Sequence, residues 1–295
     1  MLQNSLIQTV DLIQGSQEWL NFRKGKIGSS MAASIMGKGF RTPLQLFEDI
    51  VEDRQVEVND AMRRGTRLEP IARAWLDERF ACNLEPAVIE HPNPDYRWHF
   101  SSVDGIWQNP VDGGIFVVEI KCPGKTDHQT ALDGNVPEKY LPQCYHILED
   151  LHGVHEMLYF SYTEESQALV WVSRNEYEMA TQFAEELSFY SRLLNFRPPE
   201  PTDKDWVEIY SQEALSKANT YSFIMDQIEV LQEQASKLKQ EMIQSLESNR
   251  AKIGNLKIQK VVRAGAVDYS KIEALQGIDL EPYRKEAIVS WRISS

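Results

Sequence analysis

SSVDGIWQNPVDGGIFVVEIKCP, residues 101–123, is the stretch on which the reading of the fold turns. FSSVDGIW and IFVVEIK have strand composition and NPVDGG between them is turn chemistry, so the stretch reads as a hairpin. A register that pairs Trp107 with Phe116 also sets Asp104 opposite Glu119, with β-carbons roughly 4.5 to 5.5 Å apart. Two like charges so opposed are unfavourable unless one is protonated or a cation sits between them, which favours a divalent metal over a structural role. Glu119 and Lys121, two positions apart, share one strand face, while Phe116, Val118 and Ile120 point to the other and into a core. Hard oxygen ligands without a histidine or cysteine cluster suit Mg²⁺, or Mn²⁺ in its place, rather than zinc. Carboxylates, cation and amine in one pocket are the apparatus of phosphodiester hydrolysis, in which the lysine orients the nucleophile or takes its proton. Ordinary charges on a solvent-facing hairpin are the competing reading.

Outward from the hairpin, the 295 residues are 42% hydrophobic, enough for one large domain or a domain with an appendage. No apolar run approaches the roughly 18 to 20 residues of a membrane span, and MLQNSLIQTVDLIQ lacks the basic start and apolar core of a signal peptide. A soluble, cytoplasmic protein is expected. Cys82, Cys122 and Cys144 form no CxxC pair and read as reduced, small buried residues. A net charge of −13 argues against a nonspecific coat for nucleic acid, but leaves room for local basic patches on an enzyme acting on DNA. Residues 20–41 contain Arg23, Lys24, Lys26, Lys38 and Arg41 with no acid, and Arg63, Arg64 and Arg67 precede Glu69. Solvated loops explain such groups equally well.

Residues 1–197 mix helical and strand patterns, with Trp75, Leu76 and Phe80 on one helix and IFVVEI and MLYFSY as strands, and this predicts an α/β core. NEYEMATQFAEELSFYSRLL predicts a helix burying Phe183, Leu187, Tyr190 and Leu194, stopped by the proline cluster RPPEP. Residues 198–295 form an extension. In it Ile224, Ile228, Leu231, Ala235, Leu238 and Met242 recur in steps of four and three, which predicts a long helix packed on another helix. Docking within the chain is preferred to an oligomeric coiled coil because the run is short. LKIQKVV adds a strand pattern.

Asp104 with Glu119-Ile120-Lys121 resembles the D…(D/E)xK core of the restriction-endonuclease-like nucleases, a mixed sheet flanked by helices. W-x3-R-x-G-x-I-G-S-S at Trp19–Ser30, RRGTRLEP around Glu69, SSVDG, VEIKCP and YLPQCYH around Gln143 narrow this. In that order they resemble the lambda exonuclease and YqaJ-like viral recombinase family, over roughly residues 15–195. The tail LEPYRKEAIVSWRI is similar to an extension of some YqaJ-like proteins. The resemblance implies that Asp104, Glu119 and the main-chain carbonyl of Ile120 hold the metal and that Lys121 positions or deprotonates the attacking water. Glu69 would bind a second metal's water or hold Lys121, and Gln143 would orient a water or contact the substrate backbone. Arg23, Ser30 and Ser102 match the pocket for a terminal 5′ phosphate, chemistry that a guanidinium and two hydroxyls suit. It further implies a Mg²⁺-dependent exonuclease that degrades one strand of duplex DNA from 5′ ends and leaves 3′ overhangs. A ring-shaped homotrimer, a single-strand annealing protein as partner and a phage or prophage setting belong to the same implication.

Plainer readings compete. Thr66-x-x-Glu69 is also a capping-box pattern with Pro70 in a first turn, Gln143 can be a surface amide, Arg23 a salt-bridge partner, and Ser30 or Ser102 a turn or cap residue. His146, His152 and His155 lack accompanying acids in a zinc pattern. An endonuclease on the same core and a noncatalytic module binding DNA ends or a partner are the alternative functions, and intact Glu119 and Lys121 count against the second.

Overall fold

The computed structural model describes residues 7–54, 58–262, 265 and 272. Its hairpin consists of β4 (His99–Gln108) and β5 (Ile115–Lys121), closed over Asn109–Gly114 with Gly113 at a φ of 75° that favours glycine. These strands lie inside a mixed sheet whose other members are β1 (Gln8–Val10), β2 (Ile27–Gly28), β3 (Glu85–Glu90), β6 (Glu156–Tyr162) and β7 (Gln167–Ser173). The order is β1-β3-β4-β5-β6-β7, with β2 parallel to the start of β4. Helices α1 (Gln17–Phe22), α2 (Ala32–Ile35), α3 (Pro43–Val51) and α4 (Asp60–Phe80) precede the central strands. The parallel crossover from β5 to β6 contains α5 (Lys125–Leu132) and α6 (Leu141–Asp150), and α7 (Glu176–Leu194) follows β7.

The register pairs Trp107 with Phe116, and the ladder runs to Gly105 opposite Val118, one step short of Asp104 and Glu119. Two features open the sheet there. Between Val103 and Ile106 the β3–β4 pairing slips, so that Asp104 and Gly105 face the single residue Pro86, which has no N–H to give. Val103 and Ile106, three apart, consequently share one core cluster with Val117, Ile147 and Tyr159, a spacing a regular strand cannot produce. On the other edge β4 pairs with β2 at His99 and Phe100 and with β5 only from Gly105 onward, so β2 and β5 part around Ser101–Asp104. Gly105 is obligatory, because a β-carbon there would come within 2.8 Å of Val118 Cγ1.

The sheet is buried on both sides. Val118, Ile120, Leu158 and Phe160 pack under Leu68, Ala72 and Leu76 of α4, and Trp75 stacks on Phe160 with ring centroids 5.3 Å apart. Helix α4 starts at Asn59, whose side chain caps Met62 N, and Thr66 is mid-helix with its hydroxyl on the Met62 carbonyl. The capping-box reading of Thr66 and Glu69 is therefore wrong, and Pro70 lies in the helix interior. The face of α7 also differs from expectation. Phe183 and Tyr190 pack on Trp98 as expected, but Leu187 and Leu194 are exposed, and Gln182 and Glu186 are buried where Glu186 pairs with histidines of β4 and α6.

By compactness the chain forms two units, Met1–Glu208 and Ile209–Ser295. The residues after the proline cluster belong to the first, through Thr42 Oγ1 donating to Asp205 at 2.5 Å and Gln45 Nε2 to the Lys204 carbonyl at 3.4 Å. The second contains α8 (Gln212–Gln244) and a hairpin of β8 (Arg250–Ile253) and β9 (Leu256–Gln259). Within this unit Ile224, Ile228, Leu231 and Leu238 of α8 stand exposed, with no second helix among its described residues to cover them. LEPYRKEAIVSWRI lies outside the described residues. Among those residues no helix is long and apolar enough to cross a membrane.

Candidate active site

Where β2 and β5 part, a cavity of about 180 Å³ is lined by Trp19, Arg23, Ser30, Ser102, Asp104, Glu119, Lys121 and Gln143, among others. A larger hollow of about 240 Å³, lined by His152, His155, Arg174 and Glu176, contains none of these groups. Asp104 is 8% exposed and Glu119 2%. Asp104 Oδ2 accepts the Ile120 N–H at 2.8 Å. Glu119 Oε1 accepts from Lys121 Nζ at 2.5 Å and from Gln143 Nε2, on α6, at 2.6 Å. Glu119 Oε2 is buried and has no hydrogen-bond partner among the described residues.

The charges explain one another. Burial, then the Asp104 carboxylate, pushes Glu119 up to about 8 against the pull of Lys121. Asp104 is raised by burial too, opposed by Lys121 and the Ile120 N–H. Burial disfavours the Lys121 ammonium, but Glu119 and Asp104 outweigh it and lift the amine above its ordinary range. Glu69 sits at the margin of this group: burial and Asp104 raise it, and its carboxylate is bound to Arg73 Nη2 at 2.5 Å. Arg73 Nε in turn donates to the Asp104 carbonyl at 2.7 Å. Its i,i+4 spacing from Glu69 was visible in the sequence; its bond to Asp104 was not. A buried carboxylate oxygen without a donor, beside a second buried carboxylate, is a costly arrangement that a hard divalent cation would relieve. The donor set fits such an ion.

Arg23 differs from its basic neighbours. Lys24, Lys26, Lys38 and Arg41 each pair with a carboxylate, Asp53, Glu90, Glu138 and Asp49 respectively. Arg23 has no such partner among the described residues, so the salt-bridge reading fails for it. Its guanidinium lies 4.5 Å from the Trp19 ring centroid, and burial lowers its pKa. Ser102 is mid-strand rather than at a turn, and its Oγ accepts from Trp19 Nε1 at 3.0 Å. Ser30 is exposed in a short 3-10 turn, Ser29–Met31.

The sequence and the fold are similar to those of known proteins. Residues 18–149 match the YqaJ-like viral recombinase domain. That stretch is similar to the family without covering half of the chain. The uncharacterized protein YqaJ of Bacillus subtilis (strain 168) is 25% identical over 284 residues, covering 87% of this chain and 86% of that one. The alkaline exonuclease LHK-Exo of Laribacter hongkongensis superposes with a TM-score of 0.52 at 24% identity, over 62% of this chain and 94% of the other. Its complex with dAMP gives the same TM-score at 26% identity. The fold is accordingly a restriction-endonuclease-like α/β core followed by a helical extension.

Two histidine groups outside the cavity resemble metal sites. Acids do accompany His146, contrary to the sequence reading: Asp150 four residues on in α6 and Glu186 from α7. His99 Nδ1 and Nε2 meet Asp150 at 2.6 Å and Glu186 at 2.8 Å, and His146 meets Glu186 at 3.0 Å and the Phe100 carbonyl at 2.9 Å. With a carbonyl as partner, His146 Nε2 must carry a hydrogen, so that nitrogen offers no lone pair to a metal. In the second group, His91 Nδ1 accepts the Asn93 N–H at 3.1 Å, which puts the hydrogen of the neutral ring on Nε2, the atom facing Glu149. Of the cysteines, Cys144 is buried, whereas Cys82 and Cys122 are only half-buried.

Proposed function

We propose that this chain is a divalent-metal-dependent DNA exonuclease that shortens one strand of linear duplex from its 5′ end. The observation that carries the proposal is the buried pair Asp104 and Glu119 in one cavity with Lys121 and Arg23, where among the described residues Glu119 Oε2 has no hydrogen-bond partner and Arg23 no carboxylate. Asp104, Glu119 and the carbonyl of Ile120 are the groups that would hold Mg²⁺, or Mn²⁺ in its place. The ion would supply charge neutralisation at the phosphate and acidity for the attacking water. Lys121, kept an ammonium by its acidic neighbours, is suited to orienting that water, and Gln143 holds Glu119 in place. Glu69 acts through Arg73, which fixes the backbone at Asp104. Arg23, Ser30 and Ser102 would receive a terminal 5′ phosphate by charge-assisted hydrogen bonds.

The similarity to an alkaline exonuclease and the match to the YqaJ-like viral recombinase domain support this reading. We extend it to 3′ overhangs that feed annealing-type recombination with a single-strand annealing protein, and to a homotrimeric ring acting in the cytoplasm of a bacterial or phage-infected cell. End-labelled linear duplex and covalently closed circles, each with Mg²⁺ or EDTA, test the chemistry: loss of linear DNA alone, and only with Mg²⁺, is expected. Cutting of closed circles would instead make the same core an endonuclease, and equal digestion in EDTA would overturn the metal. Light scattering at about 34 kDa, the mass of one chain, would overturn the ring.

A further inference from the structure

We infer that Trp19 makes the cavity selective for a terminal phosphate, by using its N–H to aim the Ser102 hydroxyl and its ring face to hold Arg23. This rests on the terminal-phosphate reading of that cavity. Trp19 is fixed in α1, where Ser16 Oγ accepts its backbone N–H at 3.1 Å. From there the indole Nε1 donates to Ser102 Oγ at 3.0 Å across 83 residues of sequence. A serine hydroxyl has two lone pairs and a single hydrogen, and an indole N–H can only donate. The contact therefore occupies one lone pair of Ser102 and leaves its hydrogen unspent, since the hydroxyl has no acceptor among the described residues. In a cavity that both residues line, that hydrogen is available to an anion.

The ring face of the same indole carries the Arg23 guanidinium at 4.5 Å from its centroid. A cation held on an aromatic face keeps its N–H groups at the edge of the plane, where they can bind in the fork geometry that phosphate oxygens match. No carboxylate consumes them among the described residues. One side chain thus organises two donors that come from α1's end and from mid-β4. A terminal phosphate monoester offers three unesterified oxygens and close to two charges, against two oxygens and one charge for an internal diester. Two donors aimed at one point, one of them charged, favour the monoester. Trp19 is a positioning residue here, acting through Ser102 and Arg23.

The test is equilibrium binding of 5′-phosphorylated and 5′-hydroxyl duplex in EDTA, where no metal-dependent cleavage runs, together with initial rates on both ends in Mg²⁺. Trp19→Phe keeps a ring under Arg23 and removes only the N–H. It should cut the preference for phosphorylated ends about fivefold, the worth of one hydrogen bond, with the loss in KM for phosphorylated ends exceeding that in kcat. Trp19→Leu, which removes the ring as well, should reduce the preference further, by tenfold or more as is roughly expected for a weakened charge-assisted bond. The decisive arm is a cycle with Ser102→Ala: in that background Trp19→Phe should cost nothing more, because the N–H no longer has a hydroxyl to aim. A full preference in Trp19→Phe, or additive losses in the cycle, would overturn the role of Trp19 while leaving the terminal-phosphate pocket standing. No preference in the unmodified protein would overturn the pocket itself and this inference with it. The Ser102→Ala arm does not depend on the folding of any Trp19 variant: an unchanged preference there would exclude Ser102, and hence the indole N–H, from the selection.

Discussion

Two clusters of buried charge lie close together on β4, and they are built on opposite principles. Around Asp104 two carboxylates are brought together, one oxygen of Glu119 has no donor, and burial raises both acids. Around His99 every carboxylate oxygen is engaged. Asp150 bonds His99 and, at 2.6 Å, the Ser101 hydroxyl; Glu186 bonds His99, His146 and, at 2.9 Å, Gln182. The two imidazoles stack with centroids 3.5 Å apart between these anions. Burial opposes the His99 charge, but Asp150 and Glu186 outweigh it and push its pKa up to about 10. The lesson is that burial of charge alone does not mark a functional site. A satisfied cluster fixes α6 and α7 against β4; an unsatisfied one is the proposed site of a cation.

The sharpest way to break this comparison is to neutralise each cluster. Asp104→Asn or Glu119→Gln should reduce cleavage by about three orders of magnitude or more, because each removes a ligand charge at the reacting phosphate. Neither should lower the melting temperature, since each also relieves a like-charge contact. Near-normal Mg²⁺-dependent rates in either variant would remove the pair from the mechanism. Glu186→Gln should do the reverse, costing about 3 to 5 kcal/mol of stability by leaving buried imidazolium charge uncompensated. Urea titration measures that cost, and a loss below about 1 kcal/mol would mean that the histidines are neutral.

Alkali should separate the clusters in opposite directions. With Glu119 at about 8, a proton competes with the metal below that pH. Affinity for Mg²⁺ should therefore climb by up to about tenfold per unit toward pH 8 and level off above it. For His99 the folded pKa of about 10 exceeds the ordinary value of 6.5, so its stabilisation is complete below about 6.5 and is lost as pH rises through 10. Melting in saturating Mg²⁺ should fall across that window in the natural protein and less in Glu186→Gln. Equal slopes would deny the His99–Glu186 pairing. The smallest expected effect is at Gln143: Gln143→Ala should slow cleavage about tenfold by freeing Glu119, the worth of a hydrogen bond to a charged group. An unchanged rate would make the 2.6 Å contact incidental.

Much of the first cluster was legible because its parts are close in sequence. Asp104, Glu119 and Lys121 fall in one hairpin, where a two-residue period assigns faces and a six-residue turn sets the register near Trp107 and Phe116. The second cluster was not legible. In α7 the apolar residues Leu187 and Leu194 advertised a face that the structure leaves exposed, while Gln182 and Glu186 went inside. Helical periodicity reports where hydrophobic side chains recur, not where a distant histidine needs an anion.

The sequence by itself determined the α/β alternation, the hairpin, the carboxylate and lysine on one strand face, and the basic character of the stretch that contains Arg23. Each of these is set by neighbours within a few turns or one hairpin, where backbone geometry converts spacing directly into position. Tertiary structure alone decided which charges are paired. It placed Pro86 opposite the two-residue slip at Asp104 and Gly105, gave acids to Lys24, Lys26, Lys38 and Arg41 while leaving Arg23 on Trp19, and sealed His99 and His146 between Asp150 and Glu186. Pairing depends on residues far apart in the chain, and a buried charge is held or left open according to whether such a partner arrives.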